Sequence, residues 1–161
     1  MGSGPQQLSS PRAVAVSPDA ALLVADASNG RVQQFALGCS GLGATVVGGP
    51  GAPDELHFPV GLAVALDGAV LVADSRAQRV LRFQQGGAAA VVGSGFGMPR
   101  GVALAADGAL LVADRSKHRV QRFEPGSAEG ITVAGGRGDG AATYQLHKPW
   151  AVAVCQDAGL S

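Results

Sequence analysis

PRGVALAADGALLVADRSKHRVQRF, residues 99–123, decides how this chain folds. It reads as three short strands: Gly101 to Ala105, Ala109 to Asp114 and Arg119 to Phe123. The turn at Ala106 to Gly108 contains Asp-Gly, which supplies the positive φ that a tight hairpin needs. The same block stands at residues 11–35 and 59–83. In each copy the proline-to-aspartate spacing is 15, aspartate to arginine 5 and arginine to phenylalanine 4. A fourth copy opens at Pro149 with Pro-Trp-Ala-Val-Ala-Val, and Ser161 follows before a second strand.

Outward from these blocks, the length variation falls between each phenylalanine and the next proline, at spacings of 24, 16 and 26 residues. Each of these segments holds a further apolar run: Thr45-Val-Val-Gly-Gly, Ala90-Val-Val-Gly-Ser and Thr132-Val-Ala-Gly-Gly. These read as a fourth strand, so each repeat is a four-stranded antiparallel meander. A large apolar residue stands three before each proline (Leu8, Leu56, Phe96, Leu146), and proline itself suits the first position of a strand. A four-stranded repeat of 40–50 residues is the mark of a β-propeller blade. The face pattern agrees. Val120 and Phe123 have opposite parity and point to opposite sides of their strand, as in a blade packed between two neighbours.

The expected fold is therefore all-β: propeller blades in an incomplete or open ring. Residues 1–7 form a flexible tail. Blade 1 covers about 8–55, blade 2 about 56–95, blade 3 about 96–145, and a partial fourth blade 146–161.

Composition narrows the functions. The net charge is zero, so no general electrostatic pull toward nucleic acid or anionic membrane is expected. No apolar run approaches the roughly 18 residues of a membrane span, and residues 1–10 lack the basic start and apolar stretch of a signal peptide. The expected location is cytoplasmic. Cys39 and Cys155 are far apart and read as free thiols of a reducing compartment. No Cys-x-x-Cys or His-x-x-x-His pair supports a zinc site, and no cofactor is expected. Gly135-Gly-Arg-Gly-Asp-Gly140 lacks Gly-Lys-Ser/Thr, so it is not a phosphate loop. No serine stands in a Gly-x-Ser-x-Gly elbow.

Two sets of side chains carry the remaining chemistry. The pairs Asp26/Arg31, Asp74/Arg79 and Asp114/Arg119 recur once per blade. An aspartate ending the second strand can accept turn N–H bonds and pair with the guanidinium across the hairpin, so these are structural turn pairs. The candidate binding set is Arg76, Arg115, Lys117, His118, Arg137 and Lys148 in loops of one face. Arg12 and Arg100, just after their prolines, rim the opening on that side, and Trp150 joins the set as an aromatic stacking candidate. Asp54, Glu55 and Asp139 dilute the positive field, and Tyr144 is a second aromatic in these loops. His57, His118 and His147 lie in loops of the same face; a three-histidine metal site is conceivable there, with solvated histidines as the default.

The pattern P-x-G-V-A-V…D-G-x-L-x-V-A-D-x-x-N-x-R-V-Q-x-F resembles the NHL repeat. Residues 112–121, VADRSKHRVQ, are close to its core motif, and the likeness covers about residues 8–161. The family's asparagine is kept at Asn29 but replaced by Ala77 and Lys117, and its glycine is Ala13 and Ala151 in the first and fourth copies. Closed rings of this kind have about six blades, so three blades and one strand suggest part of a longer propeller. The resemblance implies a non-catalytic binding scaffold for a protein partner, engaged through loops such as 48–58 and 135–148. In a ubiquitin-ligase context the RING domain would lie outside these residues. RNA binding through a basic loop face is the alternative, and self-association through open blade edges is a further expectation. The NHL-like peptidyl-hydroxyglycine lyases carry metal-binding histidines directly after the corresponding proline. Here those positions hold Arg12, Val60, Arg100 and Trp150, so no enzyme is expected.

Overall fold

The computed structural model describes residues 2–4, 6–36, 38, 43–84 and 88–155; Cys39 and residues 156–161 lie outside the described residues. Twelve strands form three four-stranded antiparallel sheets, each in simple sequential order. The first sheet holds β1 (Pro11–Val16), β2 (Ala21–Asp26), β3 (Arg31–Ala36) and β4 (Gly43–Gly48). The second holds β5 (Pro59–Val64), β6 (Val70–Asp74), β7 (Arg79–Phe83) and β8 (Ala90–Gly93). The third holds β9 (Pro99–Leu104), β10 (Leu110–Asp114), β11 (Arg119–Phe123) and β12 (Gly130–Gly135). Each is a propeller blade, and the all-β architecture stands as the sequence implied. The strands after each proline begin at the proline itself, two residues earlier than the glycine start read at Gly101. Among the described residues no helix is long and apolar enough to cross a membrane.

The blades stack through two apolar seams. Leu23, Ala25 and Val32 of blade 1 meet Leu62, Val72, Leu81 and Phe83 of blade 2. Val60, Leu71, Ala73 and Val80 of blade 2 meet Phe96, Val102, Leu110, Val112 and Phe123 of blade 3. Val80 and Phe83, three apart on one strand, thus serve opposite seams, because alternate side chains of a strand point to opposite faces.

Two of the apolar residues three before a proline, Leu56 and Phe96, are plugs at the seams. Leu56 and Phe96 are each 2% exposed. The Phe96 ring packs on Phe123 with centroids 5.6 Å apart. Three of the four apolar residues at this spacing face a glycine at the end of a fourth strand: Leu56 faces Gly48, Phe96 faces Gly93 and Leu146 faces Gly135. The apolar-plus-glycine spacing in the sequence is this contact.

The inner strands β1, β5 and β9 run side by side at close range. A Cβ on Gly61 would collide with the Arg100 carbonyl oxygen, and one on Gly101 would lie 2.7 Å from the Ala151 Cα. Every inner strand also carries a bulge just after its proline. Pro11 and Ala13 pair with consecutive residues Asp26 and Ala25, leaving Arg12 extra. Val60 is extra in the same way between Pro59 and Gly61, and β9 shifts register across Arg100–Gly101. A bulge bends a strand and re-aims the extra side chain.

Candidate functional site

The register fixes what gathers at one end of the blades. Pro11, Pro59 and Pro99 pair with Asp26, Asp74 and Asp114. The bulged residues therefore sit beside the turns that follow β2, β6 and β10. At this end the three aspartates are fully buried.

Their partners explain how the chain tolerates that burial. Asp74 Oδ1 accepts the backbone N–H groups of His57 (3.1 Å) and Phe58 (2.9 Å). Asp114 Oδ1 accepts those of Gly97 and Met98, both at 3.0 Å. Asp26 Oδ1 accepts the Ser9 N–H at 2.6 Å. The donors are thus the residues just before the proline, 16 or 17 positions upstream, rather than the N–H groups of the adjacent turn. The other oxygen faces arginine: Arg31 Nε at 2.8 Å, Arg79 Nη2 at 3.5 Å and Arg119 Nε at 3.4 Å. Arg31 reaches further and donates to the carbonyls of Ser3, Gly4 and Gln7. The first residues are held against blade 1 by these bonds.

With the buried carboxylates so engaged, four other arginines gather without acidic partners. Arg12 and Arg76 lie over the Phe58 ring, with guanidinium carbons 5.8 and 4.6 Å from its centroid. Arg100 and Arg115 lie over Trp150 at 4.5 and 5.7 Å. Met98 offers its sulfur to both members of the second pair, Arg100 Nη2 (3.3 Å) and Arg115 Nη1 (3.8 Å). None of the ion pairs among the described residues involves these four arginines. Arg100 Nε and Arg115 Nε are buried without a hydrogen-bond partner. Burial first, then the Arg115 and Arg12 charges, push the Arg100 pKa below its usual value. Arginine stays protonated through such shifts, so the group is a concentrated, under-neutralised positive patch on an apolar floor.

The other candidate residues fall elsewhere. Lys117 donates to the Gly95 carbonyl at 2.6 Å, and Arg137 lies 6.0 Å from the Tyr144 ring. His118 and Lys148 belong to a separate cluster: the Lys148 N–H donates to His118 Nδ1 at 3.2 Å. His147 and Asp139 complete it. Asp139 Oδ1 bonds His147 Nδ1 and lies 3.3 Å from His118 Nδ1. Bonding to His147 first, and the neighbouring His118, His147 and Lys148 charges, hold the Asp139 carboxyl below its usual pKa against a smaller opposing effect of burial. His57 does not join the other histidines; it borders a hollow beside Gly30, Arg31 and Leu56.

Sequence reasoning named the arginines and Trp150 but missed Phe58 and Met98 as their floor. The available signal was a large apolar residue just before two of the prolines. Asp139 was read only as a charge that weakens the field, and nothing in the spacing brought it to two histidines.

Comparison with known proteins agrees with this architecture. The sequence profile of the NHL repeat matches residues 8–35 and 96–123. A search of curated protein sequences gave no significant match. Among solved structures, a protein of unknown function from Bacteroides thetaiotaomicron VPI-5482 superposes with a TM-score of 0.70 at 18% identity, over 88% of this chain and 41% of that one. Virginiamycin B lyase from Staphylococcus aureus superposes with a TM-score of 0.61 at 15% identity, over 76% and 40%. A chain of the nidogen/laminin complex gives 0.66 at 19% identity, over 77% and 48%. The chain thus spans less than half the length of each, and at these identities the likeness is one of fold.

Proposed function

We propose that this NHL-repeat protein is a non-catalytic binding module that holds an acidic segment of a protein partner across Arg12, Arg76, Arg100 and Arg115. The observation that carries this reading is the set of four guanidinium groups stacked on Phe58, Met98 and Trp150 instead of on carboxylates. Guanidinium forks match carboxylates in bidentate geometry, and an apolar floor lowers the local dielectric and strengthens each contact. The rigid inner strands fix the spacing. Variable loops around the same face would select the partner.

Three further points support the reading. The residues after the prolines (Arg12, Val60, Arg100 and Trp150) include no carboxylate, imidazole or thiol, which suits binding rather than acid–base catalysis. Both aromatic rings already carry two guanidinium groups, whereas RNA readers keep aromatic faces open for bases. A similar fold occurs in a nidogen/laminin complex, a protein–protein assembly. In ubiquitin-ligase chains of the kind the repeat brings in, recruiting a protein substrate is the task that fits this face.

Fluorescence anisotropy tests the proposal. A labelled Glu-rich peptide should bind with an affinity that falls as salt rises. The exposed double variant Arg12→Glu/Arg76→Glu, and separately Arg100→Glu, should weaken it at least about tenfold. Tighter binding of a single-stranded RNA of equal charge, lost in the same variants, would favour the RNA reading. Equal peptide binding by the wild type and both variants would overturn the assignment.

A further inference from the structure

The junction after blade 3 carries a cluster that the arginine face does not use. His118 ends the short turn helix Arg115–Lys117 in a left-handed conformation. Asp139 lies in the loop after β12, and His147 stands two residues before Pro149. The two imidazole rings are 5.9 Å apart, and one ligand atom from each of the three side chains lies within 4.8 Å of the others. Asp139 Oδ1 sits between the two Nδ1 atoms. All three groups can be reached from solvent: the side chains of His118, Asp139 and His147 are 18%, 48% and 62% exposed.

We infer that His118, Asp139 and His147 form a binding site for a divalent transition-metal ion, Zn²⁺ foremost, that clamps the 136–148 loop to the turn between β10 and β11. Two imidazoles and one carboxylate are the donor set that Zn²⁺ accepts, and solvent can supply the fourth ligand. The ion would take the place of the hydrogen bond between His147 and Asp139, and His118 Nδ1 would exchange the Lys148 N–H for the metal. Any proton on either imidazole leaves to solvent on binding. Among the described residues, Lys148 is the cation besides the two histidines whose charge acts on the carboxylate; its charge opposes the metal and sets a limit on affinity.

The position is specific to this junction. Gly30 occupies the place of His118 in blade 1, where His57 stands in the place of His147. In blade 2 the corresponding residues are Gln78 and Gly97. The clamp also has something to hold. The loop returns to the turn through the Gly136 N–H to the His118 carbonyl at 2.9 Å and through Lys148, at its two ends. The metal would tie its middle, at Asp139.

Titration of the full chain with Co²⁺, read by visible absorption, and with Zn²⁺, read by calorimetry, tests this. One equivalent should bind, with Zn²⁺ displacing Co²⁺. His118→Gly, which installs the residue blade 1 carries and suits the left-handed turn, should weaken binding at least ~10-fold, the loss expected even from an outer partner of a metal site. Asp139→Asn should do likewise, and His57→Ala should leave binding unchanged. Circular dichroism checks that each variant is folded. No uptake by the wild type, or His118→Gly binding as tightly as the wild type, would overturn the inference.

Discussion

Residue-scale chemistry shows most clearly where the three blades differ. The turns before β6 and β10 place Gly68 and Gly108 at φ near +80°, whereas the corresponding turn of blade 1 forces Ala20 to φ 59°. A side chain in this region costs about 1 kcal/mol. Ala20→Gly should therefore raise stability by up to about 1 kcal/mol, and Gly68→Ala, which would meet no neighbouring atom, should lower it by a similar amount. Urea unfolding measures both. The buried aspartates are less tolerant. Asp114→Ala would strand two N–H groups and the Arg119 guanidinium, and should cost about 3 kcal/mol. A loss below about 1 kcal/mol would contradict the role given to Asp114. The repetition of these aspartates was legible in the sequence. Their true donors were not, because residues 97 and 98 reach Asp114 only once β9 and β10 are in register.

At the scale of elements, each four-stranded blade was readable from turn chemistry and alternation, since both are local. The bulges that turn out Arg12 and Arg100 were not, since a bulge shows only in the pairing of two strands. A second motif also went unread: Arg122 Nη2 bonds Asp107 Oδ2 at 2.6 Å, and Arg82 bonds Asp67 in the same way. These pairs tie the middle strand's turn to the third strand in blades 2 and 3, and Gln34 replaces the arginine in blade 1. Bonding to Arg122 first, then to the Ala109 N–H, lowers the Asp107 pKa from its ordinary value of 3.8. A depressed folded pKa gives stability that is complete above the unfolded value and fades as pH falls through the folded one. Asp107→Asn should therefore flatten the acid limb of the stability curve below about pH 4, with a small amplitude because the pair is exposed. The plugs between blades carry more. Phe96→Ala should cost about 3–4 kcal/mol by opening a cavity against Phe123.

For the molecule as a whole, the seams leave two faces uncovered among the described residues. On the first blade Val14 and Val16 are 66% and 59% exposed; on the third, Ile131 and Val133 are 60% and 48% exposed. Blade faces of this kind are buried when another blade packs on them, as both faces of blade 2 are. The isolated chain should therefore self-associate, with sedimentation giving species heavier than 15.9 kDa. Val14→Ser/Val16→Ser should shift the equilibrium toward monomer, and a monomer at all concentrations in the wild type would count against that account. The binding face at the end of the blades belongs to the same scale, because Arg12, Arg76, Arg100 and Arg115 come from all three blades. The sequence displayed these arginines one at a time; their convergence depends on how the inner strands stack. The most direct test of that convergence uses Trp150, the single tryptophan of the chain, as a reporter within the patch. Titration with an acidic peptide should change its emission saturably, and the change should vanish in the Arg100→Glu variant and at high salt. A peptide that binds while Trp150 emission stays constant, or the same emission change in Arg100→Glu, would contradict the account.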